Sequence, residues 1–229
     1  MDFESFVLAA ATADLADEPA AREAADAVEF RMDLAADPLE ALSAYDGELP
    51  LIATNRAAWE GGEADDDPSR LEALAAAAEH DAVAAVDVEL RSIREGHGAE
   101  AADAARAAGA DVIVSTHDFE RTPEPPELRR LLQHAAEHGD VGKLAVTAES
   151  VDDVLELLAA TRAATREGAT VATMAMGEPG RHSRAVAPVY GSKIGYAPVD
   201  PTEATAPGQY DLATLRRLVA DLSGPPARP

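Results

Sequence analysis

The chain of 229 residues carries 43 Asp and Glu against 19 Lys and Arg, a formal net charge of −24, and contains no cysteine. This charge argues against nucleic acid or anionic membrane partners, which need a basic surface, and the lack of cysteine excludes disulfides and cysteine-ligated metals. Apolar runs fall short of the ~20 residues of a membrane helix, and no signal peptide precedes the first strand-like run. The sequence therefore predicts a cytoplasmic protein, adapted to high salt because salt screens the repulsion between its carboxylates.

Short β-rich runs alternate with alanine-rich amphipathic segments along the whole chain. The predicted strands are residues 5–12, 27–34, 49–56, 82–90, 111–119, 142–148, 169–177 and 192–199. The clearest predicted helices, several of which open at Asp, Ser or Pro and close at Gly, are residues 67–80, 99–109, 125–139, 150–168 and 211–222. The Gly/Pro-rich residues 223–229 are predicted to be a disordered tail, which leaves residues 1–222 as one domain.

This alternation predicts parallel strands joined by helical crossovers, and both an open doubly wound sheet and a closed barrel would satisfy it. The strand count of eight and the lack of a GxGxxG motif after the first strand favour a single (β/α)8 TIM barrel of the α/β class. Barrel active sites are built at the carboxyl ends of the strands. Polar or sulfur-containing residues recur at or near these ends, namely Arg31, Arg56, Glu89, His117, Lys143 and Met176.

Lys143 is one of only two lysines in the chain and lies in the apolar run GKLAVT. A desolvated lysine can lose its proton and attack a carbonyl, which arginine cannot do; a structural lysine that extends to solvent is the alternative. His117, in STHDF, closes the preceding predicted strand, so a barrel places the two side chains at one mouth. Together they indicate an imine-forming amine with a general acid/base, although His117 alone is more typical of a hydrogen-bonded structural histidine.

Three arginines follow different predicted strands and should converge on the same mouth: Arg31, Arg56 and Arg184. Flanked by Glu29 and Glu60, they suit a small anionic, hydroxylated substrate because guanidinium groups bind carboxylates bidentately. Surface ion pairs are the alternative interpretation. The Gly-rich segment GEPGRHSR, which carries Arg184, is the candidate for a mobile lid.

Two further motifs leave their roles open. Asp87 and Glu89 in VDVEL alternate with apolar residues, and buried carboxylates need partners, so structural and catalytic roles are equally compatible. Gln209 follows the last predicted strand in PGQ, where it either hydrogen-bonds at the mouth or belongs to a simple turn. His182 is assigned no role.

Taken in chain order, the motifs EFRMD, TNRAAWEGG, VDVEL, STHDF, GKLAVT, TMAMG, SR, YGS and PGQ resemble the type I 3-dehydroquinate dehydratase family, the Schiff-base dehydratases of the shikimate pathway. The resemblance extends from Glu29 to Gln209. It implies a hydro-lyase that converts 3-dehydroquinate to 3-dehydroshikimate in aromatic amino acid biosynthesis. It also implies a homodimer that needs no metal or other cofactor, here of a halophilic type.

The resemblance implies a role for each matched residue. Lys143 forms the imine, His117 moves the proton beside it and helps the hydroxyl leave, and Glu60 pairs with His117. The residues implied to bind the substrate are Glu29, Arg31, Arg56, Arg184, Thr205 and Gln209. Thr205 stands where a serine is usual and Tyr196 where a phenylalanine is usual, and this phenol could add a hydrogen bond near the site.

Two other functions remain open from the sequence. A class I aldolase or transaldolase would share the barrel, the lysine and the base. Its phosphorylated substrates, however, call for a backbone phosphate cradle after the seventh and eighth strands, where this chain offers an arginine, Thr205 and PGQ. A non-catalytic carboxylate-binding barrel is the second alternative, because fold alone does not decide function. Such a protein would have no reason to combine Lys143, His117 and Glu60.

Overall fold

The computed structural model of the protein describes residues 1–65, 68–200, 202 and 208–223. Within these residues, eight parallel strands alternate with helices and form a nearly closed (β/α)8 barrel, as predicted. Thr205 lies outside the described residues, as does the predicted tail apart from Ser223, so the domain boundary at residue 222 stays a prediction. In the described part of the chain, no helix is long and apolar enough to cross a membrane.

All eight predicted strands are present, with bounds that differ by a few residues. The strands are β1 (Val7–Thr12), β2 (Ala27–Arg31), β3 (Leu51–Thr54), β4 (Val83–Glu89), β5 (Asp111–Asp118), β6 (Val141–Thr147), β7 (Val171–Met176) and β8 (Ile194–Pro198). The helices are α1 (Glu18–Ala21), α2 (Pro38–Ser43), α3 (Pro68–Ala77), α4 (Leu90–Glu95), α5 (Gly98–Ala108), α6 (Pro125–His138), α7 (Val151–Arg166), α8 (Gly177–Gly180), α9 (Ser183–Tyr190) and α10 (Leu212–Leu222).

The five predicted helices correspond to α3, α5, α6, α7 and α10, and the shorter helices were not predicted. The most consequential of these lie in the segment GEPGRHSR, for which the expectation of a loop is wrong. Most of it belongs to α8 and to the start of α9, where the Ser183 hydroxyl accepts a hydrogen bond from Ala175 N of β7 (2.8 Å). Helical geometry and this buried contact fix the segment against the barrel wall.

The long helices form for identifiable local reasons. On α6, the buried residues Leu128, Leu132 and Ala135 follow the helical spacing of four and three, so one face packs on the barrel. Burying each leucine contributes about 1.5–3 kcal/mol. On α7, the Ser150 hydroxyl accepts from Asp153 N while the Asp153 carboxylate accepts from Ser150 N, a reciprocal cap that fixes where the helix begins.

The strands pair in chain order, and the sheet closes between β7 and β8. There Val171 and Ser192 form a bridge, and Lys193 N donates to Val171 O (2.8 Å). Ser192 Oγ accepts from Thr173 N (2.9 Å), so a side chain satisfies a backbone donor that a complete strand pair would satisfy. This contact gives the serine of the YGS motif a structural role in barrel closure.

Inward-facing side chains in the lower part of the barrel, toward the amino ends of the strands, are small and apolar. The interior cluster holds Val7, Ala9, Ala27, Ile52, Ala85, Ile113, Val141, Ala172 and Ile194 at this end, and it extends along the strands to Ala145, Met174, Met176 and Tyr196, which line the cleft described below. Met1 and Phe3 pack against it from below. Two positions farther along several of these strands, the inward residues become charged: Ala27 is followed by Glu29, Ala85 by Asp87 and Val141 by Lys143. The register thus places a polar layer directly above an apolar one.

Candidate active site

A cleft opens at the carboxyl ends of the strands and is partly open to solvent. Of the residues predicted to act on or bind the substrate, all but Thr205, which lies outside the described residues, line this cleft. The lining residues are Glu29, Arg31, Thr54, Arg56, Glu60, Gly61, His117, Phe119, Lys143, Ala145, Met174, Met176, Arg184, Tyr196 and Gln209.

Lys143 lies on β6 with its side chain almost completely buried. Its Nζ donates to Asp87 Oδ2 (2.9 Å), lies 3.6 Å from Glu29 Oε1 and sits over the ring of Tyr196, 4.1 Å from the ring centroid. The nearest charged groups are therefore carboxylates, among them Asp87, one of the buried carboxylates that the sequence analysis expected to need a partner. These carboxylates and the ring face hold the resting ammonium in place, and the amine must give up a proton before it can attack a carbonyl.

Asp87, whose role the sequence left open, is the anion that holds Lys143. Its other oxygen, Oδ1, accepts from Arg56 Nη2 (2.8 Å) and from the Ser115 hydroxyl (2.6 Å). Burial by itself raises the pKa of Asp87, but the Arg56 and Lys143 cations outweigh it and hold that pKa far below its usual value. Asp87 therefore stays ionised throughout the neutral range and supplies a fixed negative charge beneath the amine.

Glu89 is fully buried and has a structural role. It accepts from Arg70 Nη1 (2.9 Å) and from the backbone N–H of Ala57 (3.1 Å), and it lies 3.3 Å from Arg56 Nη1. Arg70, which reaches in from α3, also donates to Asn55 O (2.8 Å). This network fixes the backbone on both sides of Arg56, so the guanidinium that contacts Asp87 is held from two directions.

His117 and Glu60 form a buried pair, with 2.9 Å between Nδ1 and Oε1. Burial lowers the pKa of His117 well below its usual value, and the Arg56 and Lys143 cations lower it further. Burial likewise raises the pKa of Glu60 to about 8, against the opposing charge of Arg56. The low pKa of His117 leaves the imidazole neutral near pH 7, and the raised pKa of Glu60 leaves most of this carboxyl protonated there. Once Glu60 is ionised, it can accept Nδ1–H and leave Nε2 as the proton acceptor.

The turn that carries Glu60 depends on the two glycines that follow it in the motif EGG. Gly61 has φ = 80°, in the left-handed region that glycine adopts without strain. A Cβ on Gly62 would lie 2.0 Å from the carbonyl oxygen of Arg56, so only glycine lets the chain pass this close. The chain thereby folds back over Arg56, and Glu60 is directed inward to His117.

Arg184 differs from the other arginines of the cleft. It is 4% exposed, and its Nε and Nη2 atoms have no hydrogen-bond partner among the residues that the structure describes. Burial lowers the pKa of this guanidinium to about 10. Arg31, by contrast, is held by Asp33 through contacts of 2.9 and 2.6 Å. Because a buried cation without a counterion destabilises the fold, Arg184 is poised to receive an anion in the cleft.

Several residues of the site escaped the sequence analysis. Thr54, which donates to Glu29 (3.2 Å), and Ser115 precede Arg56 and His117 by two positions, so the strand period could have revealed both. Arg70 offered no such signal, because an arginine in the first turn of an acidic helix is typical of a surface charge.

The fold and the site together define a class: a (β/α)8-barrel enzyme whose cleft combines a buried amine, an imidazole–carboxylate pair and a guanidinium that has buried nitrogens without a partner in the described part of the chain. Residues 6–224 match the family model of type I 3-dehydroquinase. The chain belongs to this family, and it is a hydro-lyase of that type.

Relatives of known structure or name agree with this assignment. The chain is 63% identical over 226 residues to the 3-dehydroquinate dehydratase of Haloarcula marismortui, covering 97% of this chain and 98% of that protein. It is 55% identical to that of Halobacterium salinarum, covering 97% and 100%. The solved type I enzyme from Clostridium difficile superposes with a TM-score of 0.84 at 25% identity, covering 95% and 92%. The resemblance predicted from the motifs, including its halophilic type, is confirmed.

Proposed function

We propose that this protein dehydrates 3-dehydroquinate to 3-dehydroshikimate through an imine on Lys143, as a step of the shikimate pathway. The names of the relatives support the substrate and the reaction. The observation that carries the mechanism is the presence in one cleft of the buried Lys143 amine and the neutral, base-competent His117. A carbonyl compound between them would meet a nucleophile and a proton acceptor together.

The first step is the addition of Lys143 to the substrate ketone. The ammonium gives one proton to the neutral imidazole of His117, whose low pKa leaves it free to accept. Nζ then adds to the carbonyl carbon and gives up a second proton. This proton and the one held by His117 pass to the former carbonyl oxygen, which leaves as water, and a protonated imine forms. Asp87, held ionised at 2.9 Å from Nζ, stabilises the positive charge that remains on the nitrogen.

The second step is the elimination. His117 removes a proton from the carbon next to the imine, and the electron pair moves to the nitrogen to give a neutral enamine. The enamine then expels the hydroxyl, which takes a proton from His117 and leaves as water; hydrolysis of the imine frees Lys143. Glu60 orients the imidazole through its 2.9 Å contact and balances the charge that develops on it.

Substrate binding in this proposal depends on Arg184. Its unpaired Nε and Nη2 atoms suit the substrate carboxylate, which would restore a counterion to a buried cation. Gln209 lines the same cleft from the segment that precedes α10, and Glu29 and Arg31 line it from β2. The carboxylate and hydroxyl groups of the ligand would thus be held at the rim while its ketone faces Lys143.

A solved relative supports covalent chemistry in this family. The Clostridium difficile type I 3-dehydroquinate dehydratase was crystallised with covalently modified comenic acid. In the present chain, Lys143 is the group in the cleft best placed to form a covalent bond, because its amine faces the cavity from the barrel interior.

The proposed reaction is tested by assaying the chain with 3-dehydroquinate in molar KCl, with the absorbance of the conjugated enone as the readout. Lys143→Ala should reduce turnover by about four to six orders of magnitude, because the covalent route is lost while positioning and electrostatics remain. Lys193→Ala, on the other lysine of the chain, is the matched control and should keep full activity. Full activity of Lys143→Ala would overturn the mechanism.

We also propose a cytoplasmic homodimer, on the strength of the family resemblance. Light scattering in molar KCl should give about twice the chain mass of 23.8 kDa. A mass equal to that of the single chain would rule out the dimer without affecting the proposed chemistry.

A further inference from the structure

The phenol of Tyr196 is the feature of the cleft that the proposed mechanism leaves unused. Tyr196 lies on β8, lines the cleft and is 4% exposed. Its hydroxyl is buried and has no hydrogen-bond partner among the residues described by the structure. A buried polar group without a partner destabilises the folded state, and phenylalanine would fill the same space without this disadvantage. A hydroxyl retained at this position is therefore expected to acquire a partner when the cleft is filled.

The Tyr196 hydroxyl is protonated and can therefore donate a hydrogen bond. Burial raises the pKa of Tyr196 well above its usual value, and the carboxylates of Glu29 and Asp87 raise it further. The phenol thus stays protonated across the working pH range. A protonated phenol can donate one hydrogen bond to a ligand oxygen, and it does so without transferring its proton.

The position of the ring brings this donor to the reacting centre. Tyr196 faces inward beside Ala9 of β1, and the alanines of the interior cluster leave room for the ring to extend across the barrel. Lys143 Nζ lies over the face of this ring, 4.1 Å from the centroid. The hydroxyl is at the rim of the same ring, so an oxygen on the carbon that Nζ attacks, two bonds from Nζ, can come within reach of the phenol.

We propose that the Tyr196 hydroxyl donates a hydrogen bond to the oxygen of the carbonyl that Lys143 attacks, and that it assists imine formation and hydrolysis. This inference rests on the proposed function. As Nζ adds, the carbonyl π bond breaks and its electron pair moves to the oxygen, where the phenol stabilises the growing negative charge. The oxygen then takes one proton from His117 and one from the attacking nitrogen, and departs as water when the C–O bond breaks. The phenol has no partner left on the ligand during the later elimination.

The test separates imine formation from elimination. Wild-type protein and Tyr196→Phe are mixed with 3-dehydroshikimate, which has the ketone but lacks the hydroxyl that the reaction eliminates, and are quenched with borohydride over a time course. The amount of adduct on Lys143, measured by mass spectrometry, reports imine formation alone. Loss of one neutral hydrogen bond should slow adduct formation about three- to tenfold. With 3-dehydroquinate, the conversion of preformed imine to product should keep its wild-type rate.

The control is Tyr190→Phe, which removes the phenol of a partly exposed tyrosine on α9, outside the cleft, and should leave both rates unchanged. Tyr196→Phe should unfold at the wild-type temperature or above it, because it deletes an unpaired buried hydroxyl. Equal rates of adduct formation in wild type and Tyr196→Phe would overturn the role of the phenol and leave the proposed function standing. Absence of any adduct in the wild type would instead overturn the proposed function and this inference with it.

Discussion

The two ends of the barrel interior hold opposite kinds of side chain. Toward the amino ends of the strands, the inward side chains are apolar, closely packed and mostly inaccessible to solvent. One layer higher, on the same strands and faces, the interior holds Lys143, Asp87 and Glu89 within a network of buried charges. Val141 and Lys143 illustrate the change, because only two residues separate them on β6. The apolar lower layer stabilises the fold. The buried charges of the upper layer lower that stability, but they hold the reactive groups in place.

The upper layer is itself divided between satisfied and unsatisfied groups. Asp87 and Glu89 each accept several hydrogen bonds, and their partners fix the amine and Arg56. Arg184 and Tyr196, by contrast, have buried polar atoms without partners in the part of the chain that the structure describes. The groups whose hydrogen bonds are made within the protein hold Lys143 and Arg56 in position. The groups without partners mark where the ligand is expected to bind. The following predictions probe this division.

His117→Ala should have the largest effect on the chemistry of the upper layer. Loss of the base should slow turnover by about 10²- to 10⁴-fold. An imine on Lys143 should still form, more slowly because water must carry the protons, and it can be trapped with borohydride. The measurement is turnover and adduct mass on the same sample, with His138→Ala at the end of α6 as the control. An unchanged rate would remove His117 from the mechanism.

Arg184→Met should weaken substrate binding without destabilising the fold. We expect KM for 3-dehydroquinate to rise about 100-fold, because a buried charged contact with the substrate carboxylate is lost. The free energy of unfolding should stay equal or increase, because an uncompensated buried cation is removed. Steady-state kinetics and denaturant unfolding in molar KCl provide both readouts, and Arg106→Met on α5 serves as the surface control. A variant with unchanged KM would show that the guanidinium does not bind substrate.

Glu60→Gln should change the pH dependence of stability. The pKa of Glu60 is raised to about 8 in the folded protein, so its ionisation opposes folding and stability falls as pH rises toward that value. Below about pH 6.5 the lowered pKa of His117 has the opposite effect, because the unfolded histidine gains a proton that the folded one does not. Between pH 6.5 and 8, the wild type should therefore lose up to about 2 kcal/mol relative to Glu60→Gln. Parallel unfolding curves in this window would contradict the raised pKa.

Ile113→Val should have the smallest effect, and this effect should fall on the free energy of unfolding alone. Ile113 is completely buried in the lower layer on β5, two positions before Ser115. Loss of one methylene should reduce the free energy of unfolding by about 0.5–1.5 kcal/mol while kcat and KM stay within about twofold. Val151→Ala, at an exposed position that begins α7, should change neither quantity appreciably. A large loss of kcat in Ile113→Val would show that the two layers are not independent.

The barrel and most of the site were predictable from the sequence for one reason. Strand-end residues in a parallel barrel share one mouth, so His117 at the end of β5 and Lys143 on β6 had to approach each other once eight strands were recognised. The surroundings of Lys143 were not predictable, because the choice between carboxylate and guanidinium neighbours depends on side-chain geometry across the barrel. The helical placement of Arg184 was also missed, since Gly and Pro in GEPGRHSR favoured a loop.

The central claim is that Lys143 forms a covalent imine with the substrate. The most direct measurement is the intact mass of the protein after mixing with 3-dehydroquinate and borohydride in molar KCl, followed by peptide mapping. The account predicts a stable adduct on Lys143, and no adduct in Lys143→Ala. A folded wild-type protein that gives no adduct, or an adduct that maps to Lys193, would contradict it and make an aldolase-like or purely binding barrel the next hypothesis to test.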